Sequence, residues 1–204
     1  MGEGPYRSRM LIYLHGFNSD PASHKAQVLK KDMHARGLAG AYVCPKLPYA
    51  PNVAIAIAEA EVAKARAINP AAPLIFVGSS LGGFYATYLA QKHDARAVLL
   101  NPAVRPQQRL ERYLGPQKNM FTGEDYELTL EHIEQWRSLD VPVTEPSRFL
   151  LIVETGDEVL DYRLAVEKYQ GAQQIVVEGG DHSLQSFPSH IPRILAFAGP
   201  AADV

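Results

Sequence analysis

The chain contains 204 residues, of which 20 are Lys or Arg and 22 are Asp or Glu, so its formal net charge is −2. This length suits one domain, and a hydrophobic share of 47% excludes a disordered or fibrous chain. The near-neutral charge argues against a nucleic-acid surface, which usually carries a basic excess. The single cysteine, Cys44, excludes an intramolecular disulfide.

Targeting and membrane signals are missing from the sequence. No apolar run reaches membrane-spanning length, and residues 1–9 lack the apolar core of a signal peptide. We therefore expect a cytoplasmic protein that binds neither a membrane nor nucleic acid. Nothing in the sequence specifies an oligomeric state.

Short apolar runs rich in Val, Ile and Leu recur along the chain without strict alternation, as in strands that are buried on both faces. Six strands are predicted: residues 10–14, 41–44, 74–77, 97–100, 149–153 and 175–177. Helical patterns lie between them: residues 23–36, 54–68, 82–92, 162–169 and 184–197, the last interrupted by Pro188 and Pro192. This alternation predicts an α/β fold with a mostly parallel six-stranded sheet and helices on both faces.

One long stretch, residues 102–146, separates two predicted strands. We predict that it forms a small helical insertion over one end of the sheet, within a single domain that spans residues 1–204. Its aromatic residues, which include Tyr113 and Trp136, serve either as core or as the lining of a ligand pocket.

A nucleophilic serine is indicated by a Gly-x-Ser-x-Gly motif over residues 78–82, with Ser80 at its centre. An apolar strand precedes the motif and a helical pattern follows it, which is the context of a nucleophile elbow. Glycine is needed two residues before and two residues after Ser80, because side chains at these positions would collide in so tight a turn. The alternative is an ordinary serine in a glycine-rich turn.

The loop of residues 15–17 follows the first strand directly. Ligands bind beyond the carboxyl ends of parallel strands at a switch point, so we expect this loop to face the elbow. The backbone amides of Phe17 and Leu81 are then the predicted donors to an oxyanion. His15 is expected to be structural, since no second His or Cys lies nearby at metal-ligand spacing.

A nucleophilic serine needs a general base, and the base needs an orienting carboxylate. His182, in a glycine-rich loop after the last strand, is the preferred base. His190, in the final helical segment, is the weaker candidate. His132 lies in the insertion and precedes any suitable acid in the chain.

The preferred acid is Asp157, which follows the fifth predicted strand. Asp161 and Glu158 compete for this role. Capping of the next helix is an alternative role for these carboxylates, and the two roles are compatible. Asp181 is adjacent to His182 in sequence, so we expect it to shape the loop.

Five segments together resemble the YqiA-like bacterial esterases of the α/β-hydrolase superfamily: residues 14–19, 78–87, 101–106, 155–163 and 178–182. The resemblance runs from about Met10 to Phe197 and is specific, because five motifs occur in the right order. It implies an α/β-hydrolase fold and a serine esterase without a metal or organic cofactor. It also implies that Ser80, Asp157 and His182 form the triad. The family usually has Asn where this chain has Asp181, which bears on the charge of the loop.

Three functional hypotheses follow. The first is a carboxylic-ester hydrolase that acts on a small-molecule acyl ester through an acyl-enzyme. The second is another specificity on the same residues, such as an acyl-CoA thioesterase or a small-peptide hydrolase. The third is a non-enzymatic binding protein, because a fold alone does not determine function. The presence of all three triad residue types in order favours an enzyme.

Overall fold

The structure is a computed structural model that describes residues 9–119 and 121–199. The expectation about a signal peptide falls on residues 1–9, nearly all of which lie outside the described residues. The strands, in chain order, are β1 (Met10–Leu14), β2 (Tyr42–Val43), β3 (Leu74–Ser79), β4 (Arg96–Leu100), β5 (Gly115–Lys118), β6 (Asp125–Leu128), β7 (Phe149–Glu154) and β8 (Gln173–Val177).

Six of these strands form one sheet in the order β2-β1-β3-β4-β7-β8, and every neighbouring pair is parallel. The six predicted strands and their parallel arrangement are thereby confirmed. In the register of β1 with β3, Leu14 lies opposite Gly78. The carboxyl ends of these two strands therefore meet at one edge, as the sequence predicted, and the loops that follow them lie side by side.

Helices cover both faces of the sheet, as predicted: α1 (His24–Ala35), α2 (Pro51–Ile68), α3 (Leu81–Lys92), α4 (Pro106–Leu110), α5 (Leu130–Ser138), α6 (Tyr162–Lys168) and α7 (Phe187–Phe197). On one face α1 and α7 bury apolar side chains, among them Leu29 and Phe187. On the other face α2, α3, α5 and α6 bury a larger cluster that includes Phe76, Phe84 and Trp136. Among the residues described, no helix is long and apolar enough to cross a membrane.

The final helix differs from the prediction. It begins at Phe187 rather than residue 184, and it continues through both prolines. Pro188 occupies the first turn, where the missing N–H would have no partner within the helix. Pro192 lies inside the helix but is exposed, so water can reach the carbonyl that loses its donor.

The segment between β4 and β7 is not purely helical, which corrects the predicted insertion. It contains α4 and α5, but β5 and β6 pair between them as an antiparallel hairpin. In β6, Tyr126 and Leu128 are buried while Asp125 and Glu127 are exposed. Trp136 is fully buried, so it belongs to the core rather than to an open pocket.

Candidate active site

Ser80 lies at the sharp turn between β3 and α3. Its φ of 55° and ψ of −121° are strained for a residue with a side chain. The turn is held by backbone hydrogen bonds on both sides. The Ser80 amide donates to the Leu100 carbonyl at 3.0 Å, and the Ser80 carbonyl accepts from the amides of Gly83 and Ala103 at 2.9 and 3.0 Å. The neighbouring strand β4 and the loop after it therefore fix the orientation of the serine.

The glycines of the elbow are required by close backbone contacts. A Cβ atom on Gly78 would overlap the carbonyl of Gly82, and one on Gly82 would overlap the carbonyl of Leu14. The predicted steric need for glycine at both positions is confirmed. The contact of Gly82 with the end of β1 also brings the loop after β1 against the serine.

The structure brings Ser80, His182 and Asp157 into one hydrogen-bonded chain. The His182 Nε2 atom lies 3.1 Å from Ser80 Oγ, and His182 Nδ1 lies 2.8 and 3.0 Å from the two carboxylate oxygens of Asp157. An Nδ1–H group that donates to Asp157 leaves Nε2 free to accept the Ser80 proton.

The Asp157 side chain is only 1% exposed. Burial alone would raise the pKa of this carboxyl group. Hydrogen bonds from His182 and from the backbone amides of Leu160 and Val159 outweigh burial, and the pKa is held below its ordinary value. A carboxylate that stays ionised can orient an imidazole and stabilise the imidazolium that forms when it takes a proton.

The competing acids have other partners. Asp161 caps α6 by accepting from the Arg163 amide, and its carboxylate pairs with the Arg163 side chain at 2.8 Å. Glu158 accepts from the backbone amide of His182 at 3.0 Å, so it contacts the loop rather than the imidazole. Asp181 accepts from the amide of Ser183 at 2.8 Å, and it shapes the loop as expected.

The other candidate histidines lie apart from this chain of hydrogen bonds. His190 Nε2 is 3.2 Å from the Ser186 hydroxyl. His132 takes part in the capping box of α5 with Thr129. His15 is buried, which lowers its pKa, and its Nε2 atom accepts from the Leu47 amide at 2.9 Å. His15 therefore has the structural contacts that its position in the loop predicts.

Two buried polar residues that sequence reasoning did not single out hold the His182 loop. Glu154 is the last residue of β7 and is 1% exposed. Its carboxylate accepts from three backbone amides at 2.7 to 3.1 Å, those of Asp181, Gln185 and Ser186. Burial would raise the Glu154 pKa, but these hydrogen bonds and one from the Ser186 side chain hold it below its ordinary value.

Asn101 connects the same loop to β7 from the other side. Its side-chain oxygen accepts from the Glu154 amide at 3.0 Å, and its side-chain nitrogen donates to the Asp181 carbonyl at 3.0 Å. The sequence signal for both Glu154 and Asn101 is a polar residue directly after a continuous apolar run.

The loop after β1 lies against Ser80. An ideal Cβ atom on Gly16 would be 3.2 Å from Ser80 Cβ and 3.7 Å from Ser80 Oγ. Within the described ranges, the amides of Phe17 and Leu81 have no hydrogen-bond acceptor. Leu81 is also the first residue of α3, where the helix presents free N–H groups and positive potential.

Aromatic residues from outside the loop support Phe17 and its neighbour. The Phe17 ring makes edge contacts with Tyr126 and Trp136, at centroid distances of 6.3 and 6.0 Å. The Tyr126 hydroxyl donates to Asn18 Oδ1 at 2.6 Å. The hairpin and α5 therefore brace the loop that carries the predicted oxyanion donor.

A cleft of about 390 Å³ opens at Ser80 and His182. Apolar side chains form most of its wall, and the polar side chains in the wall are Asn18, Arg109, Tyr113 and Gln117. Among the described residues, no group of three or more His, Cys, Asp or Glu side chains is arranged to hold a metal ion.

Comparison with known proteins identifies a family model and related sequences that match most of this chain. The model of the Uncharacterised protein family (UPF0227) matches residues 10–199. A UPF0227 protein from Serratia proteamaculans (strain 568) is 27% identical over 193 residues, which cover 92% of this chain and 98% of that protein. These matches confirm the family resemblance that the five sequence motifs indicated.

Solved structures show the same fold at low sequence identity. Est1E from Butyrivibrio proteoclasticus has a TM-score of 0.72 and 13% identity, and the match covers 95% of this chain and 88% of that one. Mouse alpha/beta hydrolase domain-containing protein 10 has a TM-score of 0.62 and 17% identity, with 96% and 90% covered. The chain therefore has the α/β-hydrolase fold.

Proposed function

We propose that this chain, which belongs to the UPF0227 family, is a serine hydrolase that cleaves carboxylic esters. The observation that carries the proposal is the position of the His182 ring, which lies within hydrogen-bond reach of both Ser80 Oγ and the buried Asp157 carboxylate. A binding protein would have no need of this chain of groups. The strained elbow adds support, because strain of this kind clusters at functional sites.

The reaction begins when Ser80 Oγ attacks the acyl carbonyl carbon. His182 Nε2 takes the hydroxyl proton, and the carbonyl oxygen gains negative charge. The amides of Phe17 and Leu81 donate to this oxyanion, and one good donor in such a site is worth about 3 kcal/mol. His182 then gives its proton to the departing alcohol, which leaves Ser80 acylated.

Hydrolysis of the acyl-enzyme repeats these steps with water. His182 Nε2 takes a proton from the water molecule, whose oxygen attacks the acyl carbon. The tetrahedral intermediate collapses, the acid leaves, and the proton returns to Ser80 Oγ. Asp157 remains ionised throughout and stabilises the imidazolium in both halves of the reaction.

Covalent labelling combined with substrate kinetics tests the proposal. A fluorophosphonate probe should label the wild type and Ser79→Ala but not Ser80→Ala, since Ser79 is the neighbouring serine of the same turn. Hydrolysis of 4-nitrophenyl esters should fall by at least about 10³-fold in Ser80→Ala with the fold intact. Retained labelling or near-normal hydrolysis in Ser80→Ala would overturn the mechanism.

A thioester substrate, added to the same kinetic assays, separates an esterase from the other hypotheses. An acyl thioester with the same acyl chain is compared with the oxygen ester by kcat/KM. We expect the oxygen ester to be the better substrate, and a strong preference for the thioester would instead assign a thioesterase. A wild-type protein that neither reacts with the probe nor hydrolyses either substrate would favour a binding protein.

A further inference from the structure

Among the described residues, Arg109 is the one arginine in the wall of the cleft that contains Ser80 and His182. It lies on α4 and is half-buried. Among the described residues that line this cleft, none is acidic. A permanent positive charge therefore faces a space whose wall is mostly apolar.

The guanidinium has no partner among the residues that the structure describes. Within residues 9–119 and 121–199, Arg109 forms no hydrogen bond or ion pair. Other arginines pair with carboxylates, as Arg137 does with Glu134 and Arg148 with Asp94. With no acceptor among the described residues, its donors stay free for an anion that occupies the cleft.

Three carboxylates that share a cavity wall with Arg109 already have other partners. Arg109 also lines an adjoining cavity of about 500 Å³, whose wall includes Asp157, Glu158 and Asp161. Asp161 pairs with Arg163, Asp157 holds His182 Nδ1, and Glu158 accepts from the His182 amide. None of these three carboxylates pairs with Arg109, so an anionic group that enters the cleft can supply its partner.

We infer that Arg109 determines specificity by binding a second, ionised acid group on the ester substrate. This inference rests on the proposed function, since the cleft serves as a substrate site only if Ser80 is the nucleophile. A guanidinium presents a planar fork of donors that matches a carboxylate or phosphate. Because most of the cleft wall is apolar, this pairing is stronger there than at a fully exposed surface. The preferred substrates are therefore anionic esters rather than simple fatty esters.

Matched pairs of neutral and anionic esters test the inference. In the first pair, mono(4-nitrophenyl) succinate carries a carboxylate where 4-nitrophenyl butyrate carries a methyl group. In the second, 4-carboxyphenyl butyrate is compared with phenyl butyrate, which places the anion on the alcohol side. The measured quantity is the ratio of kcat/KM for the anionic ester to that for its neutral partner.

Arg109→Gln should lower this ratio by about 10-fold or more in at least one pair, mainly through KM, as expected for loss of a charge-assisted hydrogen bond. Arg109→Lys, which keeps the charge, should retain part of the ratio. Arg193→Gln is the control, because it removes the same charge from an exposed side chain of α7 that donates to Gln173 and lies outside the cleft wall. It should leave both ratios unchanged.

The outcomes separate the two proposals. If the wild type hydrolyses the neutral esters but Arg109→Gln leaves both ratios unchanged, the role of Arg109 is wrong and the esterase stands. Equal losses in Arg109→Gln and Arg193→Gln would also overturn it, because they would indicate only a general effect of charge. If the wild type hydrolyses no ester at all, the proposed function fails and the inference fails with it.

Discussion

The Glu154 carboxylate accepts a hydrogen bond from the backbone amide of Asp181, with Oε2 2.8 Å from the nitrogen. Asp181 directly precedes His182, so this contact ties the proposed base to the end of β7. The loop after β7 carries Asp157, which holds the other side of the imidazole. One strand end therefore positions both the proposed base, through its loop, and the carboxylate that we propose orients it.

Glu154→Gln should displace His182, the proposed base, although residue 154 itself makes no contact with the substrate. The two carboxylate oxygens both accept backbone amides, so the NH₂ group of glutamine must face at least one donor. We expect a loss of about 1–3 kcal/mol in the free energy of unfolding. Ester hydrolysis should fall about 10-fold or more in kcat, with KM little changed, because a small misplacement of a catalytic group is costly.

Urea denaturation and steady-state kinetics measure these two effects. Glu178→Gln is the control, since Glu178 is an exposed residue at the start of the same loop and its carboxylate has no hydrogen bond among the described residues. It should leave stability and activity near the wild-type values. A Glu154→Gln protein with wild-type stability and kcat would contradict a positioning role for Glu154.

The stability that Glu154 contributes should depend on pH in a defined direction. Its pKa is lower in the folded protein than its ordinary value, so the folded state binds fewer protons there than the unfolded state. The contribution is therefore complete above the ordinary glutamate pKa of about 4.3, and it is lost as the pH falls through the folded value.

The difference between wild type and Glu154→Gln isolates this effect, because the other carboxylates titrate in both proteins. The difference in the free energy of unfolding should be largest near pH 7 and should shrink below about pH 4. Urea denaturation across this range measures it. A difference that grew on acidification would show that Glu154 has a raised pKa instead.

Much of this fold could be predicted because buried parallel strands have a strong sequence signal. Continuous apolar runs such as residues 149–153 end at polar or glycine residues. The ends of these runs mark the carboxyl-terminal edge of the sheet, where the candidate site forms. The elbow could be predicted because its steric needs are local, and Gly78, Ser80 and Gly82 lie within five residues. Asp157 and His182 could be placed because each follows a predicted strand.

The roles of Glu154 and Asn101 could not be predicted, because they depend on contacts with residues distant in the chain. The amides that surround Glu154 lie 27 to 32 residues further along the chain, so no local pattern reveals them. Strand β5 is short and polar, and it contains Pro116, which weakened its signal. Strand β6 does alternate, with Tyr126 and Leu128 inward, and that period of two could have indicated the hairpin.

Gly82→Ala should be strongly destabilising. A Cβ atom at this position would overlap the Leu14 carbonyl, which is backbone at the end of a buried strand and has little room to move. Overpacking of this kind typically costs about 1–3 kcal/mol or more. Gly40→Ala is the matched control, because its Cβ would meet nothing within 4 Å. Urea denaturation should show a large loss for Gly82→Ala only, and equal stabilities would contradict this close contact.

Asp157→Asn should remove activity while keeping the local structure. The amides of Val159 and Leu160 both bind Asp157 Oδ1, so the amide oxygen of asparagine can replace it. The NH₂ group then takes the place of Oδ2 and faces His182 Nδ1 as a donor. To accept from it, the imidazole must carry its proton on Nε2, where it can no longer take the Ser80 proton.

The expected loss is about 10³- to 10⁴-fold in kcat for ester hydrolysis, which is the size of effect seen when a triad histidine is held in the wrong tautomer. Thermal unfolding should change little. Asp161→Asn is the control, because Asp161 caps α6 and pairs with the exposed Arg163 side chain. It should keep activity within a few-fold of wild type. Among the described residues, only the Asp157 carboxylate lies beside His182 Nδ1. If Asp161→Asn abolished hydrolysis and Asp157→Asn did not, Asp157 would not be the acid that orients His182.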